Sequence, residues 1–290
     1  MTPILVFDIE TVPDAEGIRR VLGFGPELND AGVVEFAMQR RRQASGNDFL
    51  PPHYQRVVAI SCALRDNDNV RVWSLGSPAD SERDLVQRFF DGIEKYTPQL
   101  VSWNGSGFDL PVLHYRAMLH GIAGSSYWDT GENDREFKFN NYLSRFHTRH
   151  TDLMDVIAGY QNRAFAPLDE LARLCGLPGK LGMDGSQVAA AHARGEIEAI
   201  RNYCETDVAN TYLLYQRFQM IRGAIDATGY EREVQVFRAF LESQSAQHGG
   251  RQPHHEGNLQ FAIAQPGEHF LRGQIVQAHA HLGQLGLERS

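Results

Sequence analysis

Cysteine is scarce in this chain. Only Cys62, Cys175 and Cys204 occur in 290 residues, at spacings that match no zinc site and no disulfide framework. A disulfide-stapled secreted module is therefore excluded, and a reducing compartment fits better. Long apolar runs are also missing. None approaches the ~20 residues that a bilayer-crossing helix needs, and the first residues lack the basic start, apolar middle and cleavage site of a secretory leader. The expected location is cytoplasmic, with no membrane partner. Positive charge is in short supply too: 28 Lys and Arg stand against 36 Asp and Glu, a formal net charge of -8. That argues against a protein that coats nucleic acid by bulk charge. It leaves room for an enzyme that handles nucleic acid, because acids gathered around a cation make the bare chain more acidic than the loaded site.

What is present suffices for a folded domain. Hydrophobic residues make up 42% and charged residues 22%, an ordinary soluble balance that buries a core without covalent staples. Residues 4–9 ("ILVFDI") read as a strand. "RVVAISCAL" (56–64) and "VRVWSL" (70–75) read as two more, joined as a hairpin by the turn-rich "RDNDN". "SERDLVQRFFDGIEKY" (81–96) has helical apolar spacing behind a Ser81 N-cap. "QLVSW" (99–103) is a strand, and "DLPVLHYRAML" (109–119) a helix with Pro111 tolerated in its first turn. Two further helices follow in "PLDELARLCG" and the long "EIEAIRNYCETDVANTYLLYQRF". Strands first, then alternating strand and helix, predict an α/β protein with a mixed sheet. Residues 14–55 form an insertion after the first strand, ending its helix-like part in Arg40, Arg41 and Arg42. The expected division is a domain over 1–225 and a helical, loosely ordered extension over 226–290, whose six histidines match no closed metal site.

Three acidic motifs carry the chemistry. In "FDIET", Asp8 and Glu10 stand at i and i+2, so a strand turns both to one face and sends Phe7 and Ile9 to the other. The bland alternative is a strand that ends near residue 8 with solvated acids. In "SWNGSGFDLPVL", a Gly-rich turn follows a strand and Asp109 opens a helix; Asp109 alone reads as an N-cap, and Asn104 alone as a turn residue. In "NYCETDVANTYLLY", Tyr203 and Asp207 share a helix face, while Glu205 and Arg201 are expected on a solvated one.

Taken together and in this order, "FDIET", "NGSGFD" and "YCETD" resemble the three exonuclease motifs of the DEDD superfamily in its tyrosine-bearing branch. The chain as a whole is similar, over roughly residues 1–220, to stand-alone bacterial 3'-5' exonucleases related to the proofreading domain of family-B DNA polymerases. The roughly forty residues between the first two strands depart from compact members of that family. The resemblance implies an RNase H-like fold, a mixed β-sheet flanked by helices, here with the insertion and the C-terminal extension added. It also implies a pair of metal ions about 3.5–4 Å apart, and oxygen ligands without a His or Cys set favour Mg²⁺ or Mn²⁺. Asp8 would bridge both ions, Glu10 and Asp207 would complete the water-activating site, Asp109 would serve the second ion, and Tyr203 would aim the water.

The implied substrate is single-stranded DNA, hydrolysed from its 3' end to nucleoside 5'-monophosphates. RNA remains open, since the motifs do not separate the two, and so does an inactive nucleic-acid-binding module. A complete polymerase is not expected in the seventy residues after 220. Asn104, Phe108, Asp152 and Lys180 are the candidate substrate contacts, with Phe108 expected to wedge against a terminal base. A single strand wants aromatic platforms and a few cations, and residues 135–150 offer Phe137, Phe139, Tyr142, Phe146, Arg145 and Arg149.

Overall fold

The computed structural model describes residues 2–248. The expectations for the histidine-rich stretch beyond 248 lie outside the described residues.

In chain order the main elements are β1 (Ile4–Pro13), α1 (Ala15–Leu22), α2 (Asp30–Ser45), β2 (Gln55–Asp66), β3 (Asn69–Ser74), α3 (Glu82–Tyr96), β4 (Gln99–Ser102), α4 (Asp109–His120) and α5 (Ser125–Trp128). They continue with β5 (His150–Asp152), α6 (Leu153–Ile157), α7 (Leu168–Leu174), α8 (Val188–Ala193), α9 (Ile197–Ile221) and α10 (Ala227–His248). The five strands form one sheet in the order β3-β2-β1-β4-β5. β2 runs antiparallel to both β1 and β3, while β4 and β5 run parallel to β1. This is the RNase H-like mixed sheet, with β1 at its centre.

Helices cover both faces, so the central strands are apolar on both sides. Leu5, Phe7 and Ile9 of β1 pack with Phe89, Phe90 and Ile93 of α3 and Val112 and Leu113 of α4. On the other face Val6 packs with Val101 and with Val208, Tyr212 and Leu213 of α9. The period of two then carries Asp8 and Glu10 to the α9 face. β1 runs four residues further than the sequence suggests, because its pairing with β2 continues to Pro13↔Gln55 across a register shift between Glu10 and Thr11. Asp8 and Glu10 therefore lie inside the strand, not at a solvated end.

α3 is capped as expected: Ser81 accepts from the Asp84 amide, and the Asp84 carboxylate reaches back to the Ser81 amide. The insertion closes at its base, where the Asp14 amide donates to the Tyr54 carbonyl at 2.8 Å. Its helices α1 and α2 bury Ile18, Val33, Ala37 and Leu50 in a small core of their own. α10 is held to the sheet by Arg65, whose guanidinium donates to both oxygens of Glu233 at 2.8 and 2.9 Å, and to α9 by stacking of Phe237 on Tyr212. No described helix is long and apolar enough to cross a membrane.

Candidate active site

The loop between β4 and α4 brings the second acidic motif to the first. Asn104 adopts a left-handed backbone, φ 64°, which asparagine tolerates better than most side chains. A Cβ on Gly105 would meet the Ser102 hydroxyl oxygen at 2.2 Å, and one on Gly107 would meet Asn104 Oδ1 at 2.4 Å. At Gly105 the Ser102 Cβ also lies 2.5 Å from that position, so a larger residue there would force the Ser102 backbone to move. Asp152 pins the same loop. Its Oδ1 accepts from the Asn104 amide and its Oδ2 from the Ser106 amide, both at 2.9 Å, and it caps α6 through the Asp155 amide. Both oxygens of Asp152 thus accept from backbone amides and hold the loop in place.

Asp109 is buried and is not the N-cap of α4; that position falls to Phe108, which makes no side-chain cap. Asp109 instead accepts from the Ile9 amide at 3.1 Å, which fastens the start of α4 to β1 between the two acids of the first motif. From the opposite side, α9 supplies Tyr203 and Asp207, both buried. Lys180, in the loop before α8, sits with its ammonium 5.4 Å from the Tyr203 ring centre. Asp8, Asn104, Phe108, Asp109, Lys180 and Asp207 line one cleft of about 370 Å³, shared with Asp169. The structure thus gathers the acids, the tyrosine, Phe108, Asn104 and Lys180, while Asp152 stands behind the loop.

Electrostatics set this cluster apart. Burial pushes Asp8 well above the usual carboxylate range, and Asp109, Glu10 and Asp207 add to it. Glu10 is raised well above its range by burial, then by Asp207 and Asp109, against a lowering pull from Lys180. Burial lifts Asp109 to about 7 and Asp207 to about 6, the latter in spite of Lys180 and Tyr203. The Tyr203 hydroxyl is also pushed up, by burial first and then by Asp207, Glu10 and Asp8. It is a neutral phenol at any physiological pH.

These residues fit a bound cation. Like charges packed in low dielectric repel one another, and among the described residues Lys180 is the one Lys or Arg lining the cleft. Asp207 Oδ1 is buried with no hydrogen-bond partner among the described residues, an expensive state unless something supplies the missing interaction. Carboxylate oxygens of Asp8 and Glu10 and the Cys204 sulfur lie within 4.8 Å of one another. The donor set of hard oxygens suits Mg²⁺ or Mn²⁺.

Cys204 was not singled out from sequence, where its spacing to other cysteines carries no signal. It is fully buried, and its thiol contacts the Asp8 carbonyl at 3.4 Å and Asp8 Oδ2 at 3.5 Å. Burial, Asp8 and Glu10 hold its pKa well above normal, so it remains a thiol and acts as a weak donor to Asp8. The usable signal was its place in "YCETD", one residue after the tyrosine on the same helix. Asp169 was also missed; it accepts from the Lys180 amide at 2.6 Å and fixes the lysine's loop.

Other expectations need correction. Glu205 and Arg201 do not lie on a solvated face. Glu205 accepts from the Ser74 hydroxyl at 2.6 Å, and Arg201 donates to the carbonyls of Ser74, Leu75 and Gly76, so both clamp α9 to the end of β3. Phe137 and Tyr142 are core residues, unavailable for stacking on a base, and Arg149 is buried against both of their rings. Tyr142 spends its hydroxyl on the Pro98 carbonyl. Phe139 and Phe146 are exposed. Arg145 pairs with Asp155 at 2.7 Å, and Arg42 with Asp48.

Residues 47–257 match the model of a family described as predicted 3'-5' exonucleases related to the exonuclease domain of PolB. The chain belongs to this family. The match takes in Asp109, Tyr203 and Asp207 and begins after Asp8 and Glu10, which the fold brings to the same cleft. The chain is also similar to the DNA polymerase epsilon catalytic chain of Dictyostelium discoideum, 25% identical over 47% of this chain and 6% of that protein. It is 30% identical to DNA polymerase 1 of Sulfurisphaera ohwakuensis over 32% of this chain and 9% of that one. It therefore spans under a tenth of either relative. Among solved structures, the family B DNA polymerase of Pyrobaculum calidifontis aligns over 89% of this chain and 31% of its own, at 17% identity and a TM-score of 0.46. A product-bound exonuclease I aligns over 78% and 49%, at 13% identity and a TM-score of 0.31.

Proposed function

We propose that this exonuclease-family protein removes nucleotides one at a time from the 3' end of single-stranded DNA, releasing nucleoside 5'-monophosphates with the help of two divalent cations. The observation that carries the reading is the convergence of four acids from three elements: Asp8, Asp109 and Asp207 line one cleft, and Glu10 and Tyr203 lie close enough to them to interact electrostatically. Asp8, Glu10, Asp109 and Asp207 would hold the ions. When bound, Mg²⁺ or Mn²⁺ offsets the charge on a phosphodiester and lowers the pKa of water.

The chain's own residues do the rest. Asp109 is locked to the Ile9 amide, so its carboxylate enters the site in one orientation. The Cys204 thiol does the same for Asp8. Tyr203, neutral and buried beside the acids, orients an attacking water by hydrogen bonding and is too weak an acid to ionise for the task. Lys180 shares the cleft with the acids and would meet a phosphate oxygen. The narrow cleft and the acidic chain suit a short single-stranded tail, since a long duplex footprint needs many phosphate-neutralising side chains.

The test is digestion of single-stranded DNA labelled at its 5' end, in Mg²⁺ and in Mn²⁺, beside matched RNA. A ladder of gradually shortened labelled products, abolished by EDTA, is the expected result. Immediate release of a labelled mononucleotide, cutting of a circular single strand, or full activity under rigorous chelation would each overturn it. Faster cleavage of the RNA would move the substrate assignment.

A further inference from the structure

The insertion carries rings to the rim of the acid cleft. Phe49 follows α2 and is 55% exposed, yet it is not loose. Its amide donates to Asn47 Oδ1 at 2.8 Å, Asp48 before it is paired with Arg42, and Leu50 after it is buried in the insertion's core with its carbonyl held by Gln55 at 3.0 Å. The loop therefore presents Phe49 outward in a fixed place, where its ring centre lies 5.4 Å from that of Phe108. Phe108 lines the cleft and directly precedes Asp109.

A second ring contact of the same kind lies further along. His53, in the short turn that follows, sits 6.1 Å edge-on from Tyr115 of α4, and Tyr115 is 46% exposed. Residues 49–53 of the insertion thus run beside residues 108–115 of α4, with one ring pair at each end of the seam. Seven helical residues advance about 10 Å, a distance that one or two nucleotides of an extended strand can span. Paired, half-exposed rings that lead away from the cleft offer surfaces on which every base has a face to stack.

We infer that the insertion is part of the substrate grip: Phe49 with Phe108 forms the platform for the 3'-terminal base, and His53 with Tyr115 forms a second platform for a base further upstream. This rests on the single-stranded substrate proposed above. At 5.4 Å and an interplanar angle of 49° the first pair leaves no slot between its rings, so the base stacks on their shared outer surface.

The experiment combines binding of fluorescent single-stranded DNA in Ca²⁺, followed by anisotropy, with steady-state hydrolysis in Mg²⁺. Phe49→Ala should weaken binding and raise KM about 10-fold, in line with the loss of one stacking platform, and Phe49→Tyr should restore both. On an oligonucleotide whose terminal residue is abasic, the wild type should already show that rise and Phe49→Ala should add nothing. Tyr115→Ala should raise KM on tetranucleotides and longer substrates and leave dinucleotides at the wild-type value. Wild-type KM in both variants at every length, in a protein that does cut, would overturn the platforms and leave the exonuclease reading standing. A wild type that binds in the predicted pattern without cutting would overturn the exonuclease reading and leave the platforms. Equal losses in Phe49→Ala on abasic and intact ends would overturn the assignment of the terminal base.

Discussion

Two clusters of buried acids lie at opposite ends of the same stretch of chain, and they are solved in opposite ways. Just past the end of β1, Asp14 accepts from Arg116 at 2.6 Å, the same guanidinium reaches Glu82 at 2.5 Å, and His120 meets Glu82 at 2.9 Å. Glu82 also accepts from the Val57 amide. Within β1, Asp8 and Glu10 share their space with Asp109 and Asp207, and among the described residues no arginine lines their cleft. Burial alone would raise Asp14, yet hydrogen bonds from Arg116 and the Gly17 amide bring it below its ordinary value. Asp8 and Glu10 move far the other way. The protein can supply an internal cation to a buried acid pair and does so at Asp14. Where four acids share Lys180 and stay raised, a cation from outside would supply the missing charge, which is what the proposed function asks of the second cluster.

The largest expected effect tests that division. Asp8→Asn or Asp207→Asn should lower turnover by at least about 10⁴-fold, because each would remove a ligand from the proposed metal centre, which would supply several kcal/mol to the transition state. Far-ultraviolet circular dichroism of each variant should match the wild type. Substantial turnover in either one would place that acid outside the chemistry. Tyr203→Phe comes next. If the hydroxyl orients water, turnover should fall by about 10²–10⁴-fold, with the Mn²⁺ dissociation constant measured by calorimetry nearly unchanged. Wild-type turnover would assign the ring to packing against Lys180 and α8 alone.

The ion-paired cluster should fail in stability. Arg116 is buried between its acids, so Arg116→Met strands two carboxylates in low dielectric, a loss of about 3–5 kcal/mol, read from urea unfolding. Because the cluster ties α4 to α3 and to the end of β1, turnover per folded molecule should drop far less than in Asp8→Asn. A variant as stable as the wild type would mean that water replaces the guanidinium there, and the contrast between the two clusters would collapse.

Much of this was legible in the sequence, and the reason is locality. The two-residue period of β1 alone turns Asp8 and Glu10 to one face. The Ser81 cap, the hairpin turn at Asn67 and the shared face of Tyr203 and Asp207 all follow from neighbours within four residues. What could not be read is non-local. Asp14 and Arg116 are 102 residues apart and Cys204 and Asp8 are 196 apart, and no spacing rule joins them. Phe49 gave no signal for the same reason: its partner Phe108 lies across the fold, and α2 before it is too weakly patterned to say which way the loop points. The contacts of Arg201 and Glu205 cannot be read from the helix alone, since α9 is covered on that side by the end of β3.

The smallest expected effect is on the metal-free protein, and it has the opposite sign from ordinary mutation. Asp8, Glu10, Asp109 and Asp207 all have folded-state pKa values above those of an unfolded carboxylate. The folded state therefore holds more protons than the unfolded one as pH rises past about 4, and stability falls until the folded groups have ionised, at about 6 for Asp207 and about 7 for Asp109. Asp14 runs the other way: its lowered pKa gives a contribution that is present above the unfolded carboxylate value and lost as pH falls through the folded one. In EDTA at pH 8, above the values of Asp207 and Asp109, Asp8→Asn should raise the melting temperature by about 2–4 °C, corresponding to roughly 1 kcal/mol for a domain of this size. The gain should shrink towards pH 5, as the wild-type acids take up protons. Added Mg²⁺ should stabilise the wild type and leave Asp8→Asn nearly unmoved, closing the gap from the other side. A variant that melts lower than the wild type in EDTA at pH 8 would show that Asp8 is already satisfied by Cys204 and its neighbours, and that the cleft is not short of a cation.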